Sequence, residues 1–211
     1  LPAGVDARTA AAAMIQGMTA QFLATTTYPL KTGDTCIVHA AAGGVGQILC
    51  QMADQAGAFV FGTVSTREKA QLAREAGADE VIFYRDVDFS AEARRLTSGV
   101  GVNVVYDSVG KDTFDRSLAS LAPRGMLVLY GQSSGAVPPF DPQRLAAAGS
   151  IIFTRPTLFD FTRAREELLA RAADVFARIA QGALRIRIHA EVPLADAAEA
   201  HRMLEGRETT G

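Results

Sequence analysis

Residues 35–46 read TCIVHAAAGGVG, and residues 47–53 continue as QILCQMA. The run that begins at Thr35 is apolar or β-branched at both odd and even positions, which is typical of a parallel strand buried on both faces. After the glycines the apolar residues follow one helical face, and Gly57 is a suitable end for that helix. The stretch therefore predicts a strand, a glycine loop and a helix in direct succession.

The glycine loop itself indicates phosphate binding. We expect Gly43 to let the chain turn tightly and bring its backbone close to a diphosphate, and Gly46 to remove a side chain where the helix packs on its strand. The helix N-terminus adds N–H groups and a partial positive charge. Compared with the fingerprint G-x-G-x-x-G, Ala41 replaces the first glycine. The alternative is an ordinary turn without a ligand, but the strand and helix on either side favour a dinucleotide site.

Composition narrows the class of partner. The 211 residues are 48% hydrophobic and carry a formal net charge of -2, with basic and acidic residues interspersed. Such a chain can bury a sizeable core, and it lacks the basic block that gathers on nucleic acid. We expect small molecules or a second copy of the chain as partners, and no nucleic acid.

The two cysteines and the hydropathy indicate the compartment. Cys36 and Cys50 resemble neither a disulfide framework nor a metal site, which favours a reducing, cytoplasmic setting. No apolar run reaches the length of a membrane span and no export signal is visible, so we expect no membrane association. The sequence begins at Leu1 rather than Met, which we interpret as part of a longer chain.

Strand patterns recur along the chain, each followed by a helical pattern. Beyond the first strand they cover residues 59–64, 81–84, 102–107, 126–130 and 151–154. Six strands alternating with helices predict a doubly wound parallel α/β sheet with right-handed crossovers. The remaining elements, a long helix, a strand-like run at 184–192 and a short helix at 195–204, have no place in that sheet. We therefore predict a nucleotide-binding domain at 1–157 and a separate C-terminal segment at 158–211.

The end of the second strand discriminates between the two nicotinamide cofactors. An NAD-selective site carries Asp or Glu near this position to bind the ribose hydroxyls. Here Val64 is followed by Ser65, and then by Arg67 and Lys69. Because cations favour a 2′-phosphate, the sequence predicts NADPH rather than NADH. The alternative is that the two cations form a solvated first helical turn around Glu68.

Several short stretches together carry a family resemblance. They are residues 39–46, 62–64, 104–110, 131–136 and 154–156. With these stretches the chain resembles, over its whole length, the quinone oxidoreductase (zeta-crystallin-like) family of the zinc-independent medium-chain dehydrogenases and reductases. The resemblance implies a six-stranded Rossmann sheet, NADP(H) as cofactor, a quinone as hydride acceptor, no metal, and a homodimer formed through the edge strand.

The resemblance also implies a set of site residues. Lys69, Tyr84 and Arg207 would contact the 2′-phosphate end of NADPH. The backbone at Gly43–Val45 would face the pyrophosphate. The remaining cofactor-binding residues that we predict are Thr19, Tyr130 and Ser133 near the nicotinamide and its ribose, together with Ala42, Gly44, Ser65 and Ser108.

Two departures from the family pattern bear on the domain prediction. The GroES-like N-terminal domain that forms the other wall of the substrate cleft is absent from this sequence, and the last family strands stop at Gly211. By resemblance, the segment from residue 158 would pack on that catalytic domain. We therefore interpret the chain as mainly the cofactor-binding part of a larger enzyme.

The histidines and Asp107 bear on other possible chemistry. His39 is expected to be a hydrogen-bonded structural residue rather than a base, and Asp107 a turn or cap carboxylate. His189 and His201 have no cysteine at metal-ligand spacing, so no metal site is predicted. A zinc-independent enoyl reductase is the alternative enzyme, and a non-catalytic NADPH-binding protein is the alternative from another class.

Overall fold

A computed structural model describes residues 1–206 and 209–210. Its strands are β1 (Thr35–Val38), β2 (Phe59–Val64), β3 (Glu80–Phe83), β4 (Val102–Asp107), β5 (Leu121–Leu129) and β6 (Ile152–Thr154). They form a sheet in the order β3-β2-β1-β4-β5-β6, and all neighbours are parallel. This order confirms the predicted doubly wound sheet. The strand order reverses between β1 and β4, where such folds open a crevice for ligands.

Helices connect the strands and cover the sheet. They are α1 (Ala7–Phe22), α2 (Gly44–Gln55), α3 (Arg67–Glu75), α4 (Phe89–Leu96), α5 (Phe114–Ser120), α6 (Gln143–Ala147), α7 (Leu158–Phe161), α8 (Arg165–Ala180) and α9 (Ala197–Glu205). Side chains of Asp6, Thr66 and Asp88 cap α1, α3 and α4 by accepting backbone N–H bonds, which explains where these helices begin. Among the helices described, none has the length and hydropathy to span a bilayer.

The core lies on both faces of the sheet. Along β1, Cys36 and Val38 pack in one cluster with Leu49 of α2, whereas Ile37 between them packs in a second cluster with Phe89 of α4. Successive residues of a strand point to opposite faces. All of these side chains are buried, which is why the sequence of β1 is apolar at odd and even positions alike.

The fifth strand is longer than the sequence pattern indicates. It begins at Leu121 rather than at Met126, because Leu121 pairs with Val102 and Met126 pairs with Val104. The intervening residues bulge out of the ladder, and Arg124 there has a φ of 62° and donates its N–H to the carbonyl of Gly149. Pro123, Arg124 and Gly125 thus form an irregularity inside the strand rather than a turn before it.

The predicted strand at 184–192 is wrong. Side chains of α2 take the backbone groups that a neighbouring strand would have bonded: Gln51 exchanges two hydrogen bonds with the backbone of Arg185, and Gln55 donates to the carbonyl of Ala183. Ile186 packs on the core cluster without joining the sheet. The alternating apolar residues at 184–192 therefore belong to an extended segment outside the sheet, which is held by glutamine side chains.

The C-terminal segment packs closely on α1. Val175 of α8 is buried, and a Cβ added to Gly17 of α1 would lie 2.7 Å from its Cγ1. The buried Arg171 donates to Gln21 Oε1 and to Thr26 Oγ1 in the π-helical turn Leu23–Thr27 that follows α1. The inner face of α8 is thus covered by this chain. The division at residue 157 and the packing of 158–211 on a further domain stay predictions.

Candidate cofactor-binding site

A cleft of about 600 Å³ opens at the carboxyl ends of β1, β2 and β4. Its lining residues are His39, Ala40, Ala42, Gly43, Thr63, Val64, Ser65, Lys69, Tyr84, Arg85, Ser108, Val109, Asp112, Thr113, Arg116, Ser133 and Thr209. The cleft coincides with the point where the strand order reverses, which is where open α/β sheets bind ligands. Its volume lies within the range of ligand sites.

The left-handed residue of the glycine loop is Ala40 rather than a glycine, and the tight turn that begins there closes on Gly43. Ala40 has a φ of 51°, in the left-handed region, and its carbonyl accepts a bond of 2.8 Å from the N–H of Gly43. Gly43 itself has an extended backbone and precedes the first residue of α2. The left-handed conformation at Ala40 turns the chain soon after β1 ends at Val38, four residues before α2 begins at Gly44.

Gly46 has the packing role that the sequence predicts. A Cβ at this position would lie 2.2 Å from the carbonyl oxygen of Ala40 and 2.9 Å from the Cα of Ala41. Both contacts are far closer than van der Waals distance and both are to backbone. Only glycine allows α2 to start against the end of β1, so that the first turn of α2 lies directly beside the cleft.

Small and basic side chains meet at the end of β2. Ser65, Lys69, Tyr84 and Arg85 all line the cleft, from the loop after β2, from α3 and from the end of β3. Arg67, which the sequence grouped with Lys69, is exposed and is not among the lining residues. Of the two predicted cations on α3, only Lys69 thus lines the site. Arg85, which the sequence analysis did not predict, is a second basic residue there.

A hydrogen-bonded chain of buried side chains forms the floor of the cleft. His39 Nδ1 lies 2.8 Å from Thr63 Oγ1, and His39 Nε2 lies 3.0 Å from Ser117 Oγ. Ser117 donates in turn to Asp107 Oδ2 at 2.8 Å. Both nitrogens of the ring are therefore bonded, which confirms His39 as a hydrogen-bonded residue of the interior.

Asp107 fixes the direction of this chain. Its carboxylate accepts from the backbone N–H groups of Val109 and Gly110 and from the hydroxyl of Thr113, which makes it the turn and cap carboxylate predicted from the sequence. Because a carboxylate only accepts, Ser117 must direct its single proton to Asp107 and accept from His39. Nε2 of His39 therefore carries a proton, and in the neutral imidazole Nδ1 accepts from Thr63 Oγ1.

The surroundings of His39 stabilise this neutral form. Burial is the main cause that lowers its pKa below the ordinary value, the nearby charge of Arg116 lowers it further, and Asp107 acts in the opposite direction. The His39 ring also packs edge-on against Phe89, with the centroids 4.7 Å apart. The floor of the cleft is thus rigid and uncharged at His39. This arrangement suits a structural role for His39 rather than proton transfer.

The structure brings most of the predicted site residues together. Those that line the cleft are Ala42, Gly43, Ser65, Lys69, Tyr84, Ser108 and Ser133. Gly44 and Val45 lie in the first turn of α2, and Thr19 lies half-buried on α1; none of these three is among the described lining residues. Arg207 lies outside the described residues.

Tyr130 lies immediately after β5 and is half-buried. Burial raises the pKa of its phenol well above the ordinary value, and a side-chain hydrogen bond with Ser108 opposes that effect. The hydroxyl is therefore a neutral group beside a cleft-lining serine. Its direct contact with a ligand stays a prediction.

Other lining residues were missed because topology, rather than local sequence, brings them to the cleft. Thr63 lies inside β2, and Asp112 and Arg116 lie around the start of α5. Arg85 directly follows the predicted Tyr84, so a search for cations beside predicted contacts could have found it. No comparable signal marked the other three.

Comparison with known proteins places this geometry in a family. The family model described as zinc-binding dehydrogenase matches residues 44–178, from the start of α2 to near the end of α8. The chain belongs to the zinc-binding dehydrogenase family. Within it, the chain is similar to quinone oxidoreductases, as the sequence motifs predicted.

Three relatives in the family illustrate this similarity. The quinone oxidoreductase of Pseudomonas aeruginosa is 46% identical over all of this chain and 65% of its own length. The crystal structure of Escherichia coli quinone oxidoreductase complexed with NADPH is 44% identical, with a TM-score of 0.96 over all of this chain and 65% of that one. A 2-haloacrylate reductase of a Burkholderia species is 43% identical over 94% of this chain and 60% of its own length. The chain thus spans about 65% of the first of these relatives.

The family name refers to zinc, but the residues described in this chain do not fit a zinc site. In the part of the chain that the structure describes, no group of three or more His, Cys, Asp or Glu side chains is placed to hold a metal ion. Cys36 and Cys50 are free and buried, and burial raises the pKa of both thiols, which disfavours the thiolate that zinc binds.

Proposed function

We propose that this chain is the NADPH-binding part of a quinone reductase. The observation that carries the proposal is the group of residues at the end of β2, where Ser65, Lys69, Tyr84 and Arg85 line the cleft. A site for NADH would carry a carboxylate there for the ribose hydroxyls, whereas hydroxyl and basic groups suit a 2′-phosphate. The relatives that have been solved with NADPH support the same cofactor.

The glycine loop supports the pyrophosphate end of the proposal. Gly43, Gly44 and Val45 stand at the start of α2, where unpaired N–H groups and the helix dipole favour anions. Gly46 keeps that helix end close to the strand. With Ala42 they form a cradle of small residues that a diphosphate fits.

Hydride transfer needs no protein nucleophile. NADPH, when bound, supplies the hydride that reduces the acceptor. The tasks of the chain are to hold the nicotinamide half in one orientation and to exclude water from it. We assign these tasks to Thr19, Tyr130, Ser133 and Ser108, because Ser108 and Ser133 line the cleft and Tyr130 is bonded to Ser108. Arg207 is proposed as a further contact at the 2′-phosphate.

The test compares two charge reversals on α3 by calorimetric titration with NADPH and with NADH. Lys69→Glu changes a cation that lines the cleft, and the matched control Arg67→Glu changes an exposed cation two residues away. A hydrogen bond to a charged group contributes about 1.5–3 kcal/mol, so we expect Lys69→Glu to weaken NADPH binding by roughly 10- to 100-fold. NADH binding should change little, and the control should resemble the unmodified chain. Equal affinity of the unmodified chain for the two cofactors would contradict the cofactor assignment.

A second acceptor class has its own support. One relative is a 2-haloacrylate reductase, so an activated alkene is the alternative to a quinone. This alternative includes the enoyl reductase that the sequence left open. Turnover of a benzoquinone against 2-chloroacrylate and an enoyl thioester, with NADPH consumption followed at 340 nm, distinguishes them. The non-catalytic alternative predicts a different result. The chain would bind NADPH, but even when joined to its further domain it would not consume NADPH with any of these acceptors.

We further propose a cytoplasmic homodimer that pairs through β6. This three-residue strand is an edge of the sheet, and the side chain of Ile152 is 52% exposed on it. An unpaired edge with an exposed apolar side chain can add a second copy. The free, buried cysteines support a reducing compartment. Light scattering after size exclusion should give twice the chain mass, and Ile152→Lys should give the single mass.

A further inference from the structure

Arg116 is an arginine of the cleft that the proposed function does not use. It lies on α5, is half-buried, and lines the cleft close to the floor that Ser117 helps to form. Its guanidinium carbon lies 4.8 Å from the centroid of the Phe89 ring, and its Nη2 donates to the carbonyl oxygen of Asp112 at 3.1 Å. Two contacts therefore hold the plane of the guanidinium in place.

Arg116 has no ion-pair partner among the residues that the structure describes, although its charge helps to lower the pKa of Asp88. None of the ion pairs found within residues 1–206 and 209–210 includes it. Its positive charge also contributes to lowering the pKa of the buried His39. A positioned, half-buried cation in a ligand cleft, with no carboxylate bonded to it, is suited to an electron-rich group of the ligand.

The position of Arg116 in the fold determines which part of a bound dinucleotide it can contact. The residues proposed for the 2′-phosphate follow β2 and β3, whereas α5 follows β4, on the other side of β1. The cleft between these two sides is where the adenosine half must lie if the phosphate is at Lys69. The base, rather than the phosphate, is then the group within reach of α5.

We propose that Arg116 recognises the adenine base, by stacking its guanidinium on the face of the ring. This inference rests on the proposed NADPH site and adds a residue that determines the choice of base. Phe89 supports one side of the guanidinium, and a planar base in the cleft would continue the stack. Arginine suits this role because its planar, delocalised group stacks on aromatic faces, which an ammonium group cannot do.

The experiment measures binding of NADPH and NADH by calorimetry to three variants of the 211-residue chain. Arg116→Ala removes the stacking group, and Arg116→Lys keeps the charge but not the plane. Arg67→Ala is the control, because Arg67 is exposed and does not line the cleft. Thermal unfolding of each variant verifies that the fold is retained.

The two nucleotides should respond alike. Both carry adenine, so Arg116→Ala and Arg116→Lys should each weaken NADPH and NADH by the same factor, roughly 2- to 30-fold. Binding of 5′-AMP should weaken in parallel, since this probe contains only the adenosine half. The control should leave all three affinities unchanged.

Other results would overturn the inference in distinguishable ways. A loss confined to NADPH would make Arg116 a contact of the 2′-phosphate, and full retention by Arg116→Lys would make its charge, not its plane, the recognised feature. Unchanged binding by both variants would remove Arg116 from the site while leaving the proposed function intact. Failure of the unmodified chain to bind either nucleotide would instead overturn the proposed function, and this inference with it.

Discussion

Gly46→Ala is the sharpest test of how the cleft is built. The new Cβ would lie 2.2 Å from the Ala40 carbonyl oxygen, whereas ordinary contact begins at 3.4 Å, so the start of α2 must move by about 1 Å. Overpacking of this kind costs about 1–3 kcal/mol. With a urea m-value of about 1–3 kcal/mol/M, the midpoint of unfolding should fall by roughly 1 M. Displaced amides at the helix N-terminus should also weaken NADPH binding at least about tenfold.

The matched control is Gly43→Ser. Its Cβ would lie 3.2 Å from the same oxygen, a contact that a shift of a few tenths of an ångström relieves, and its hydroxyl can cap α2. We expect the urea midpoint of this control to remain near that of the unmodified chain. If Gly46→Ala unfolded at the unmodified midpoint and bound NADPH equally well, the close approach of α2 to β1 would not be what shapes the phosphate loop.

Three further predictions concern the floor of the cleft and the turn above it. Ser117→Ala should lower the free energy of unfolding by about 1–3 kcal/mol in urea titrations, because it leaves the buried His39 N–H without a partner and removes one of the two hydroxyl bonds to Asp107 Oδ2. Ser120→Ala, which removes a single bond to a backbone carbonyl, should cost less. The pKa of His39 is lower in the folded chain, so that on acidification the unfolded chain binds a proton at this residue first. The free energy of unfolding should therefore fall as the pH drops below about 6.5, by at most about 1.4 kcal/mol per pH unit. The same titration in a His39→Gln variant should be flatter between pH 8 and 5.5, and an equal slope would contradict this origin. Ala40→Gly should raise the free energy of unfolding by about 0.5–1 kcal/mol, since it removes the side chain from a left-handed residue, and a decrease would contradict the assigned strain.

The sheet could be predicted because its signals are local. The strand at Thr35 and the helix after Gly43 differ in apolar period, and apolar strand patterns recur along the chain. Right-handed crossovers restrict the strand order without fixing it, because more than one doubly wound order obeys that rule. The same local signals failed at residues 184–192, where the side chain of Gln51 on α2 bonds both backbone groups of Arg185, and Gln55 bonds the carbonyl of Ala183 just before that segment.

The site could be predicted in part. Residues next to the glycine loop and to the end of β2 were found, because the phosphate chemistry requires them at fixed offsets. Arg116 and Thr63 were missed, since their place in the cleft depends on contacts between elements far apart in sequence. The position of the left-handed turn was also missed, because alanine rarely adopts that conformation and gives no signal for it.

The saturated carboxylate of Asp107 also has an entropic consequence. It binds two backbone N–H groups and two hydroxyls of the segment that follows β4, so this segment is ordered when the chain folds. Fixing a residue's backbone costs about 1–2 kcal/mol in lost conformational freedom. The segment after β4, which forms one wall of the cleft, is therefore already immobile when a ligand enters. The amide hydrogens of Val109 and Gly110 should accordingly exchange slowly with solvent before any ligand is added, and change little when it binds.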